Sequence, residues 1–83
     1  MTGTVKFIIP RHSRVAVLTE RKDFSILELF VPDTVFIDDE LHWEEHGELG
    51  FMVVTNRTKG TAVDVIFCKH QVASDQVGAV LVA

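Results

Sequence analysis

Two histidines four residues apart, His42 and His46 in His42-Trp43-Glu44-Glu45-His46, have the spacing that on one helical turn holds a metal while a neighbouring glutamate activates water. That chemistry also needs a stable helix, a third ligand from a distant element and a cleft for substrate. An 83-residue chain of mostly β character leaves little room for them. The reading is therefore a solvated acidic loop with Trp43 folded back onto the fold, without a catalytic metal and without a cofactor. Its other uses are adventitious divalent-metal binding by His42 and His46, and Trp43 as an anchor for a partner. Ser13, Ser25 and Ser74 lack the context of a nucleophile elbow. Cys68-Lys69-His70 brings a thiol and an imidazole to one strand face only if that strand continues, and no glycine loop cradles phosphate. No enzyme is expected.

The charges suggest a different chemistry. Residues 1–22 carry Lys6, Arg11, Arg14, Arg21 and Lys22 against Glu20 alone, whereas residues 38–48 carry six carboxylates and no lysine or arginine. The net charge of −4 disfavours a polyanion if spread evenly. A basic hairpin still makes a local positive field, because a Debye length of about 8 Å screens the distant acids. The plain alternative is an ordinary solvated surface.

The elements that must position these groups read as strands. With 47% hydrophobic and 24% charged residues the chain has material for one core, and its period-two patterns and β-branched residues predict a single all-β domain over residues 1–83. Strands are expected at about Thr4 to Ile9, Arg14 to Thr19, Phe24 to Val31, Leu49 to Thr55 and Thr61 to Phe67. Pro10 ends the first, and a long acidic connection from Asp33 to Gly47, with one helical turn near Glu40 to His46, separates the third from the fourth. An apolar tail, Val77 to Val82, is expected as an extra C-terminal strand. The single cysteine excludes an intrachain disulfide, and no basic and apolar leader precedes the first strand, so a cytoplasmic location is expected. The longest apolar stretch, Val77 to Ala83, falls far short of the roughly 20 residues that span a bilayer, and no membrane contact is expected.

Gly3-Thr4-Val5-Lys6-Phe7-Ile8, then Gly47-Glu48, then Lys59-Gly60-Thr61-Ala62 with Ile66, fall at the spacing of the end strands of a cold-shock domain, which this chain resembles over about residues 2–67. The resemblance implies a small five-stranded OB-fold-like barrel that binds single-stranded DNA or RNA on an aromatic sheet face. The chain departs from the pattern where that face is built. His12-Ser13-Arg14-Val15-Ala16-Val17 stands where the family has two stacking phenylalanines, and Ser25-Ile26-Leu27-Glu28-Leu29 where it has another phenylalanine and a histidine. Each stacked base is worth roughly 1–3 kcal/mol, so affinity is expected to be weak.

The residues expected to carry that binding are Lys6, Phe7, Arg11, His12, Arg14, Phe30, Arg57 and Lys59. Phe7 and Phe30 offer rings, unless they are core; Arg14 offers a planar cation that stacks or meets phosphate; the others flank the groove from turns. For Lys6, alternation with Val5 and Phe7 predicts an outward side chain in any case. The alternative function is a protein-interaction module that keeps the barrel and binds through Val15, Ala16, Ile26 and the Trp43 loop. A homodimer through the C-terminal strand, residues 68–83 being an extension of the resemblance, completes the expected partners.

Overall fold

A computed structural model describes residues 1–44 and 48–82. Six strands form a closed antiparallel barrel in the order β1-β2-β3-β6-β5-β4: β1 (Thr2–Ile9), β2 (Arg14–Thr19), β3 (Phe24–Leu29), β4 (Glu40–His42), β5 (Gly50–Asn56) and β6 (Thr61–Val72). The all-β expectation holds, and the architecture is that of a small OB-like barrel. Two corrections apply. The sixth strand is not C-terminal: it is β4, in the connection where a helical turn was expected, and it closes the barrel by pairing with both β1 and β5. The tail Val77–Val82 is a helix, α1, so a dimer formed by a C-terminal strand has no strand to form it. The remainder of the acidic loop, Glu45, His46 and Gly47, lies outside the described residues, as does Ala83.

The alternation of inward and outward side chains builds two separate apolar clusters. Inside the barrel, Val5, Val15, Val17, Leu27, Leu41, Val54, Val63, Val65 and Phe67 pack with Val35 and Trp43. Trp43 folds back as expected and stacks at a tilt on Phe67, with 5.0 Å between ring centroids. Outside, Ala16, Phe24, Ile26 and Val72 are covered by Val77 and Leu81 of α1. Residues four apart on a helix share a face, so one short helix covers this outer sheet surface from above, where an added strand would present only alternate residues. Tertiary burial thus overrides the β preference of a valine-rich segment.

The resemblance motifs have local physical reasons. A Cβ on Gly3 would lie 2.5 Å from Val17 Cγ1 and 3.0 Å from the Leu18 carbonyl oxygen, so only glycine permits this approach of β1 to β2. Gly60, at φ +72°, supplies the left-handed residue of the β5–β6 turn, and its N–H bonds to the Asn56 carbonyl at 2.8 Å. Lys6 is the extra residue of a β-bulge, since the β1–β2 register shifts between Val5 and Phe7. Without the bulge Phe7 would share the inward side of Val5; with it Phe7 turns outward and Ile8 packs against the interior.

Candidate functional site

The expected nucleic-acid residues do not share one surface. Phe7 is 50% exposed, but its ring lies 6.1 Å from that of Phe24 in the cluster beneath α1. Arg14 pairs across β2–β3 with Glu28, Nε to Oε2 at 3.3 Å, and its Nη1 donates to the carbonyls of Val80 at 3.1 Å and Leu81 at 3.4 Å. A guanidinium at a helix C-terminus meets the carbonyls and dipole that lack partners there, and Arg14 is engaged in holding α1. The helix therefore lies across the outer face of β2 and β3, where the resemblance places base stacking. The protein-binding alternative loses its residues too: Ala16 and Ile26 are fully buried beneath α1, and Val15 and Trp43 lie in the barrel interior.

A second group gathers around the segment from Phe36 to Glu40. Lys6 Nζ reaches Asp38 at 3.8 Å, Arg57 Nη1 reaches Glu40 at 3.5 Å, and Lys59 Nζ sits 5.0 Å from the centre of the Phe36 ring. Arg11 and His12 stand exposed in a 3-10 turn, Pro10–His12, beside a groove of about 270 Å³ that Pro10 and Phe36 line together. The segment is anchored from below by buried Asn56, whose Nδ2 donates to Asp39 Oδ2 at 2.9 Å and to the Thr34 carbonyl at 3.3 Å. Asp39 Oδ2 also accepts the Phe36 N–H at 2.9 Å. The cations here alternate with acids, and exposed pairs of this kind are worth about 0–1 kcal/mol each.

Phe30 belongs to a third surface that the sequence reading missed. It is 55% exposed and packs edge-on against Phe51, itself 63% exposed, with centroids 5.7 Å apart. Phe51 stands opposite Ile66 across β5–β6, and Val53 opposite Asp64; both Val53 and Ile66 are exposed. The outer face of β5 and β6 thus carries a continuous strip of Phe30, Phe51, Ile66 and Val53 with no element over it among the described residues. The signal was present: in Phe51-Met52-Val53-Val54 both parities are apolar, which means a strand with something on each face.

Polar chemistry collects at one end of the barrel in a cleft of about 110 Å³ lined by Thr19, Arg21, Asp23, Ser25 and His70. His70 Nε2 lies 2.8 Å from the Glu48 carbonyl, which only accepts, so in the neutral ring Nδ1 is bare and accepts the Ser25 hydroxyl at 2.8 Å. This orients Ser25, but the serine is buried, and the bond ties β3 to the irregular end of β6. Cys68 lies on the outer face, its Sγ 3.7 Å from Glu28 Oε2; burial, then the Glu28 charge, pushes its thiol above the ordinary range. His42, on a strand rather than a helix, pairs through Nδ1 with Thr2 Oγ1 at 3.1 Å. Among the described residues no three His, Cys, Asp or Glu side chains gather to hold a metal, and no helix is long and apolar enough to cross a membrane. No family model, no curated protein and no solved structure matches the chain.

Proposed function

We propose that the chain is a protein-interaction module that presents the outer face of β5 and β6 to a partner. The observation that carries this reading is the exposed strip of Phe30, Phe51, Val53 and Ile66. Contiguous apolar surface of this kind is uncommon on a monomer unless something docks on it, and aromatic residues at the centre of such a patch supply most of the binding energy. It differs from the alternative read from the sequence only in the face used. The barrel and its outer helix bury the first choice of residues and leave this one in solvent.

The test is photocrosslinking in the native host with a benzoyl-phenylalanine at position 51. A discrete adduct, lost when Phe30→Asp accompanies it and missing from a probe at position 21, is the expected result. Equal labelling from positions 51 and 21 would refute the reading.

A second reading, weak binding of single-stranded DNA or RNA, is favoured by the Lys59–Phe36 contact with Lys6, Arg11, His12 and Arg57 around it. In this arrangement Phe36 is the ring on which a base stacks, while Phe30 and Arg14 take no part. An oligonucleotide titration at two salt concentrations decides it, because log affinity falls with log salt by about 0.7 per phosphate neutralised. Binding that Lys59→Ala weakens supports nucleic acid; no binding at low salt removes it.

A further inference from the structure

The geometry points to strand addition as the binding mode: an extended segment of another protein, apolar at alternate positions and carrying lysine or arginine, pairs with the open edge of β5 at Phe51 and Val53. This rests on the reading that the β5–β6 face binds protein, and names the partner's conformation and charge.

The open edge follows from strand lengths. β6 pairs with β5 along the whole of Gly50–Asn56, but β4 reaches only Thr55 and Asn56. The Arg57 N–H donates to the Glu40 carbonyl at 2.8 Å, so Arg57 faces β4. In an antiparallel ladder both main-chain groups of a residue point to the same neighbour and alternate residues point to opposite ones. Thr55, Val53 and Phe51 therefore point the same way as Arg57. Thr55 meets His42; the N–H and C=O of Val53 and Phe51 meet no partner among the described residues. Four main-chain groups stand ready for a ladder on the two residues whose side chains are also exposed and apolar.

Edge strands are normally guarded by a lysine, a proline, a bulge or a charge. β1 illustrates this: past its pairing with β4, which ends at Thr4, its free edge carries the Lys6 bulge and stops at Pro10. From Leu49 to Asn56 there is no such device. Charge selects the occupant. Glu48 and Asp64 border the strand, neither of them ion-paired among the described residues, and Asp64 lies directly across from Val53. Lys69 of β6 lies beyond the β5 pairing, which ends at Gly50 and Phe67, and is in register with Ile26 of β3 instead. An incoming segment with basic residues matches that border, and an acidic one is repelled.

Fluorescein-labelled octapeptides alternating lysine and valine provide the probe. Their glutamate–valine counterparts and two lysine peptides N-methylated at every second residue, one for each parity, are the controls. Anisotropy is expected to show binding of the lysine peptide, at least tenfold weaker binding of the glutamate peptide and of one N-methylated parity, and slowed exchange of the Phe51 and Val53 amides in the complex. Equal binding by both N-methylated parities, or none by the lysine peptide at millimolar concentration, overturns strand addition. The first of these results combined with lost binding in Phe51→Asp leaves the face reading intact. Unchanged binding in Phe51→Asp removes the face itself. A dimer of the chain alone at micromolar concentration, dissociated by Val53→Lys, would assign the edge to a second copy and overturn the partner proposed.

Discussion

Replacing Arg14 with methionine should detach α1 and leave the barrel closed. The helix has six residues, and fixing their backbone costs about 1–2 kcal/mol each. Against this, burial of Val77 and Leu81 on Ala16, Phe24, Ile26 and Val72 contributes about 1.5–3 kcal/mol each. The charged hydrogen bonds from Arg14 to the Val80 and Leu81 carbonyls add about 1.5–3 kcal/mol. The opposing sums lie within a few kcal/mol of one another, so the helix sits near its own opening transition. Methionine keeps most of the apolar stem over the sheet and removes only the fork; Glu28, 38% exposed, then relaxes into water. At 1.4 kcal/mol per factor of ten, losing 1.5–3 kcal/mol raises the open population about 10- to 100-fold. Native-state hydrogen exchange should show that loss of protection at Val80 and Leu81, with amides of Val15, Leu27 and Val65 unchanged. Tail protection equal to wild type would refute the assignment of Arg14 as the clamp. Loss of protection throughout the barrel would show instead that helix and barrel open as one unit.

The remaining predictions concern the barrel and the thiol. Gly3→Ala drives a methyl into Val17 and the Leu18 carbonyl, and should lower stability in urea by about 1–3 kcal/mol, the usual penalty for overpacking. Asn56→Ala leaves buried Asp39 and the Lys59 N–H each short of a bond, and should lower stability by about 1–3 kcal/mol, with exchange rising first in residues 34–39. Cys68 should alkylate slowly near neutral pH; Glu28→Gln, which removes the carboxylate charge beside Sγ, should speed it, and an unchanged rate would leave burial as the sole cause. The raised thiol also sets a sign: its neutral form is favoured by the fold, so stability is full below the unfolded thiol's pKa and declines as the pH climbs beyond it.

Five of the six strands were legible because β-branched alternation and turn residues are local signals; β4, three residues in an acidic connection, carries neither. Gly60 stood in the turn where the structure uses it, whereas Val15, expected on a binding face, belongs to the interior. The helix was not legible, since Val77-Gly78-Ala79-Val80-Leu81-Val82 has the composition of a strand and becomes helical because an apolar outer face awaits it. The site was less legible than the fold for one further reason. Strict alternation places Phe7 inside, and a single bulge at Lys6 reverses it; no composition rule locates a bulge. Likewise Arg14 reads as a free cation in the sequence, and only the return of the chain end some 66 residues later turns it into a clamp.

The short β4 strand joins these observations. At about 3.3 Å per residue its three residues span about 10 Å, while the seven of β5 span about 23 Å, so more than half of β5 extends beyond its neighbour. Trp43 keeps the parity of Leu41: it turns inward to cap Phe67 and exchanges main-chain bonds with Met1 at 2.7 and 2.9 Å, so the ladder on the β1 side runs one residue past the last pair with β5, His42 and Thr55. By the same alternation the next main chain able to face β5 belongs to Glu44, opposite Val53, and the pairing ends before it. The end of the interior and the open β5 edge are thus set by different residues, Trp43 closing the one and the stop of β4 after His42 leaving the other. Trp43→Ala, which opens a cavity over Phe67, should lower stability in urea by about 3–5 kcal/mol, whereas Phe51→Asp should weaken peptide binding and leave stability unchanged; a barrel as stable as wild type after Trp43→Ala would refute the capping role.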